Sequence, residues 1–163
     1  MSIQPTIYSY VVARDFGFAP NPFHGICTLA TCKPRIRKGA VLGDWVVGTG
    51  SGAAARKRAG YLVFAMKVEE AISFDDYWKD ERYLLKRPNL RGSKKMALGD
   101  NIYHRKGEGD DWKQSNSHHT LPSGAHEHVQ LEYRYQCKPR LNFPDLYVLG
   151  RRGPGRSRAI PKF

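Results

Sequence analysis

The segment Leu98–Leu121 reads LGDNIYHRKGEGDDWKQSNSHHTL and gathers Asp100, Asn101, His104, His118 and His119 into one polar stretch. These side chains can move protons, ligate metals or read bases. Asp100 and His104 lie four positions apart, so a helical turn would put both on one face. There a carboxylate orients an imidazole as a general base. GDN also reads as a turn in which Asp100 bonds its own backbone. His118 and His119 could join Cys27 and Cys32 as zinc ligands. Four residues separate those cysteines and no second cysteine pair follows, so no metal site is expected and small buried thiols are the plainer reading. Cys27 or Cys32 with His24, His104 or His118 supplies the ingredients of a thiol–imidazole pair. The GTGSG of Gly48–Gly52 lacks the spacing of the G-x-S-x-G nucleophile elbow.

Anion binding has a second set of candidates. In VVGTGSGAAARKRAG, small residues follow an apolar strand, so the backbone N–H groups around Thr49, Gly50 and Ser51 can approach an anion closely. Arg56, Lys57 and Arg58 just beyond suit phosphate contacts that position a nucleic acid without reading sequence. The glycine spacing is neither a P-loop nor a dinucleotide fingerprint, and a flexible hairpin loop has the same composition. No cofactor motif is present. Phe16, Phe18, Phe23, Trp78, Tyr103 and Trp112 alternate with Lys and Arg in loop-like context, which fits stacked bases beside phosphates. Asn21, Asp44, Asp100 and Asn101 offer paired hydrogen bonds to a base edge. Trp45 and the strand tyrosines read as core.

These residues need a scaffold. The 163-residue chain suits one domain. Lys and Arg exceed Asp and Glu by 27 − 15 = 12, a surplus that favours an anionic partner such as nucleic acid. No apolar run reaches the ~18 residues that cross a bilayer and the N-terminus does not resemble a signal peptide, so a cytoplasmic protein with no membrane partner is expected. Three cysteines do not make a disulfide framework.

TIYSYVVARD, DWVVGTG and YLVFAMKVEEAISF read as strands, and FPDLYVLGRRG reads as the last. HGICTLATC is a short strand or one helical turn, and HVQLEYRYQ a further candidate strand. Ser73 caps a helix in SFDDYWKDERYLLK, with Asp75 and Asp76 in its first turn and Tyr77, Trp78, Leu84 and Leu85 as its apolar side. RPNLRGSKKMALGDNIYHR is irregular. The whole reads as an α+β domain or a small, partly open β-barrel with long loops. One domain is expected over 1–150, and 151–163 is a basic tail that reads as a flexible arm.

YSYVVARDFGFAPNPFHGICTLATCKPRIRKGAVLGDWVVGTGS, LVFAMKVEEAISFDDYW, KRPNLRGS, GDNIYHR, SNSHH and YVLG together resemble the nucleotide modification associated domain 2 family. The resemblance runs from Tyr8 to Gly150 and implies a setting in the hypermodification of bases in phage and bacterial DNA. RIRKGAVLGDWVVGTGS, GYLVFAMKVEE and FDDYWKDERY are more weakly similar to PUA-like domains of the EVE and YTH type. That likeness implies a small β-barrel with flanking helices and a cage for a modified base.

The expected function is therefore binding of a nucleotide or a modified base in DNA. The expected pocket comprises Phe23, His24, Thr49, Gly50, Ser51, Arg91, Asn101, His104 and His118, with Trp78 and His119 beside it. Asn101 would read the base edge and Arg91 would hold phosphate. The rival expectation is an enzyme acting on the modification, with His104 or His118 as general acid–base and Asp100 as orienter. A third is a non-catalytic subunit that recruits base-modifying enzymes.

Overall fold

The structure, a computed structural model, describes residues 4–53, 58–118 and 120, and the backbone of 146–151. Its elements are β1 (Ile7–Val12), β2 (Ile26–Leu29), α1 (Pro34–Gly39), β3 (Trp45–Gly50), β4 (Leu62–Ile72), α2 (Phe74–Lys79), a 3-10 helix (Glu81–Lys86), α3 (Lys94–Ala97), β5 (Tyr103–His104), β6 (Lys113–Gln114) and β7 (Leu146–Arg151). Arg56, Lys57, His119, Cys137, the HVQLEYRYQ segment and 152–163 lie outside the described residues.

Five strands form one mixed sheet in the order β1-β3-β4-β7-β2, with β1 parallel to β3 and the other neighbours antiparallel. The expected α+β class is met, and the sheet is not closed among the described residues. No helix among the described residues is long and apolar enough to cross a membrane.

Alternation along β3 decides which face is core. Val46 is 1% exposed and packs with Cys27, Leu29, Ala40 and Val68. Trp45, one residue earlier, pairs with Lys67 and is 38% exposed. It lies on the outer face and not in the core as expected, because neighbouring residues of a strand point to opposite faces.

Ser73 caps α2 as the sequence indicates: its Oγ accepts from Asp76 N at 3.0 Å, and Asp75 and Asp76 occupy the first turn. The continuation is a 3-10 helix, whose three-residue period turns Tyr83 and Lys86 inward, at 0% and 1% exposure. Leu84 and Leu85, expected on the apolar side, therefore face solvent. α1 was not expected either; Pro34 at its first turn is the readable signal.

β5 and β6 pair Tyr103 with Gln114 and His104 with Lys113, and Ser115 N donates to Ile102 O at 2.8 Å. This short hairpin joins the segments carrying GDNIYHR and SNSHH.

Candidate functional site

Asp100 and Asn101 are buried, at 0% and 1% exposure. Asp100 Oδ2 accepts from Thr28 Oγ1 at 2.7 Å and Oδ1 from Tyr77 OH at 2.8 Å. Asn101 Nδ2 donates to Tyr77 O at 2.7 Å and to Tyr83 O at 3.3 Å. The anticipated Asp100–His104 pairing does not form, because His104 enters the extended β5 and not a helical turn. The Asn101 amide donors are spent on backbone, inside the protein. Both residues anchor the site from within. Burial pushes the Asp100 carboxyl above the usual range, opposed by Lys86.

Lys86 is the centre of that anchor. Its Nζ donates to Asn21 O at 2.9 Å, Asn21 Oδ1 at 2.8 Å and Ile26 O at 2.6 Å. All three protons are used. Burial lowers its pKa, while the nearby Asp100 raises it. Asn21, 0% exposed, also gives Nδ2 to Leu98 O at 2.7 Å and pairs its backbone with Thr28. Sequence reasoning named Asn21 only as a base-edge candidate and missed Lys86. The available signal was the three-residue spacing of Tyr83 and Lys86.

The Asn21–Lys86 clamp presents the turn Pro22–Gly25. His24 sits there in the left-handed region at φ 60°, followed by Gly25 at φ 79°. That conformation is uncommon for a residue with a β-carbon and turns up at ligand sites. His24 is half-exposed, yet its Nε2 is shielded and has no hydrogen-bond partner among the described residues. Its pKa is lowered by burial first, then by Lys86 and Lys95. Phe23 faces the other way and packs on Gly17, where a β-carbon would lie 2.6 Å from its Cζ.

The remaining histidines take separate partners. His104 stacks on Trp78 with ring centroids 4.1 Å apart and planes at 16°. The Arg87 guanidinium also lies over Trp78, 4.0 Å from its centroid, and Arg87 Nη2 donates to Trp78 O. Trp78 is thus already covered by two side chains. Burial lowers the His104 pKa. His118 is exposed and packs edge-on against Phe16 at 5.2 Å and Phe18 at 5.5 Å. His118 and Phe23 both meet the 13–20 loop, whereas His104 meets α2.

That loop also borders a cavity of about 510 Å³ through Asp15 and Pro20, with Pro22, Cys27, Phe64 and Met66 among the other walls. None of the expected pocket residues lines it. Thr49 and Gly50 end β3, where Gly50 pairs with Val12, a cavity residue, and Ser51 follows directly. Ser51 O accepts from Arg58 N at 3.1 Å, and Arg58 is exposed. Beyond His24, the segment 87–95 carries Arg87, Arg91, Lys94 and Lys95 with no acid. The last three side chains are exposed. No three His, Cys, Asp or Glu residues among those described are grouped to hold a metal.

The family model for nucleotide modification associated domain 2 matches residues 4–161, extending past the motif span at both ends and into most of the basic tail. No curated protein and no solved structure matches the chain significantly. The chain belongs to the nucleotide modification associated domain 2 family.

Proposed function

We propose that this protein binds a nucleotide or a modified base in nucleic acid and acts in DNA base modification in the cytoplasm. The carrying observation is the double role of the 13–25 loop. On one side it borders a cavity of about 510 Å³, a volume typical of small-molecule sites. On the other it sets His24 beside Lys86 and Lys95 at the edge of the cationic 87–95 segment. A base fits the first and a phosphate backbone the second. In this reading His24 and Arg91 meet phosphate, and Asn101 with Asp100 supports the site from behind. Phe23 and His118 brace the 13–20 loop that borders the cavity, and Arg58, exposed beyond Ser51, adds a phosphate contact. The mixed sheet with short flanking helices is read as a PUA-like barrel left open.

An enzymatic version gives the general acid–base role to His104, half-buried and stacked on Trp78 at 4.1 Å, with burial lowering its pKa. Equilibrium titration of His24→Ala and the unsubstituted chain against modified and plain oligonucleotides tests the binding reading, and product analysis of His104→Gln tests the enzymatic one.

A further inference from the structure

Leu90 is 57% exposed. A single exposed leucine is ordinary, but this one stands at the tip of a braced turn. Gly92 N donates to Asn89 O at 3.0 Å, Arg91 N to Asn89 Oδ1 at 3.1 Å, and Asn89 N to Met96 O at 2.8 Å. The base of the turn is pressed onto the buried anchor. A β-carbon on Gly99 would lie 2.4 Å from Lys86 O and 2.6 Å from Pro88 N. These bonds hold the apolar tip out, with the exposed Arg91, Lys94 and Lys95 directly after it.

Exposed cations beside such a turn draw it against phosphates. An apolar side chain delivered to a duplex in that way escapes water by entering between base pairs, as apolar wedges do in proteins that kink DNA. A duplex base must also leave the stack before a pocket can hold it. We infer that Leu90 is a wedge: the partner is double-stranded DNA, and Leu90 enters a base step while Arg91, Lys94 and Lys95 hold the flanking phosphates. This rests on the nucleic-acid reading above and narrows its substrate from nucleotides in general to a duplex.

The test uses the full chain and a duplex carrying a fluorescent adenine analogue that is quenched when stacked. Binding by the unsubstituted protein is expected to raise the fluorescence. Leu90→Ala is expected to abolish that rise while binding the corresponding single strand within roughly twofold of the original, since its cations are intact. Leu85→Ala removes another exposed leucine, outside the turn, and is expected to keep the rise. A full rise with Leu90→Ala, or duplex binding without any rise, overturns the wedge and leaves the nucleic-acid reading standing. Failure to bind either strand form overturns both.

Discussion

Lys86 and Asn21 are joined twice, by an ammonium that donates to the Asn21 backbone oxygen at 2.9 Å and to its side-chain oxygen at 2.8 Å. The two residues are 65 positions apart, and their contact sets the turn carrying His24 against the cationic 87–95 segment. Replacing Lys86 with Met keeps much of its volume but strands buried acceptors at Asn21 and Ile26. Each such loss costs about 1–3 kcal/mol, so Lys86→Met is expected to lower unfolding free energy by about 3 kcal/mol or more in a denaturant titration.

Gly99→Ala is expected to destabilise by about 1–3 kcal/mol, because the new methyl overlaps backbone atoms of Lys86 and Pro88 that cannot swing aside. Gly107→Ala serves as the comparison, since its β-carbon would meet only Asp110 Oδ2 at an ordinary 3.7 Å. Thermal melts of the two variants should separate clearly.

His24 and His104 both have pKa values below the ordinary 6.5. As pH falls through about 6.5, the unfolded chain takes up protons that the folded histidines refuse, so stability is lost toward acid. Asp100, with its raised pKa, contributes with the opposite sign, so the comparison should be differential. Denaturation of the unsubstituted chain and of His104→Gln from about pH 7.5 to 5.5 is expected to show a steeper acid loss in the former.

Much of the scaffold was legible because it is local. Alternation marked β1, short apolar runs marked β3 and β4, and Ser73 with its two aspartates marked α2. The site was less so. GDNIYHR suggested Asp100 and His104 on one helical face, but the segment is extended and Asp100 turns to Thr28 and Tyr77, far away in sequence. Lys86 drew no attention in the sequence, and Leu84 with Leu85 read as the apolar side of the helix. Only the three-residue period of a 3-10 helix reverses those assignments. Trp45 was read as core because it is large and apolar, whereas register put it outside.

The cationic segment should act through phosphate. Arg91→Ala, Lys94→Ala and Lys95→Ala combined are expected to reduce the magnitude of the slope of log affinity against log salt by up to about 3. Removing residues after Arg151, which deletes further arginines, should flatten it again. Affinities measured between about 50 and 200 mM salt would reveal both changes.

The most direct measurement is equilibrium binding of the full chain to matched oligonucleotides carrying cytosine, hydroxymethylcytosine or hydroxymethyluracil at one position, with His24→Ala in parallel. The account predicts that a modified base binds at least about tenfold tighter than the plain one, a difference of about 1.4 kcal/mol, and that His24→Ala weakens both. Equal affinity for all three, unchanged by His24→Ala, would contradict it.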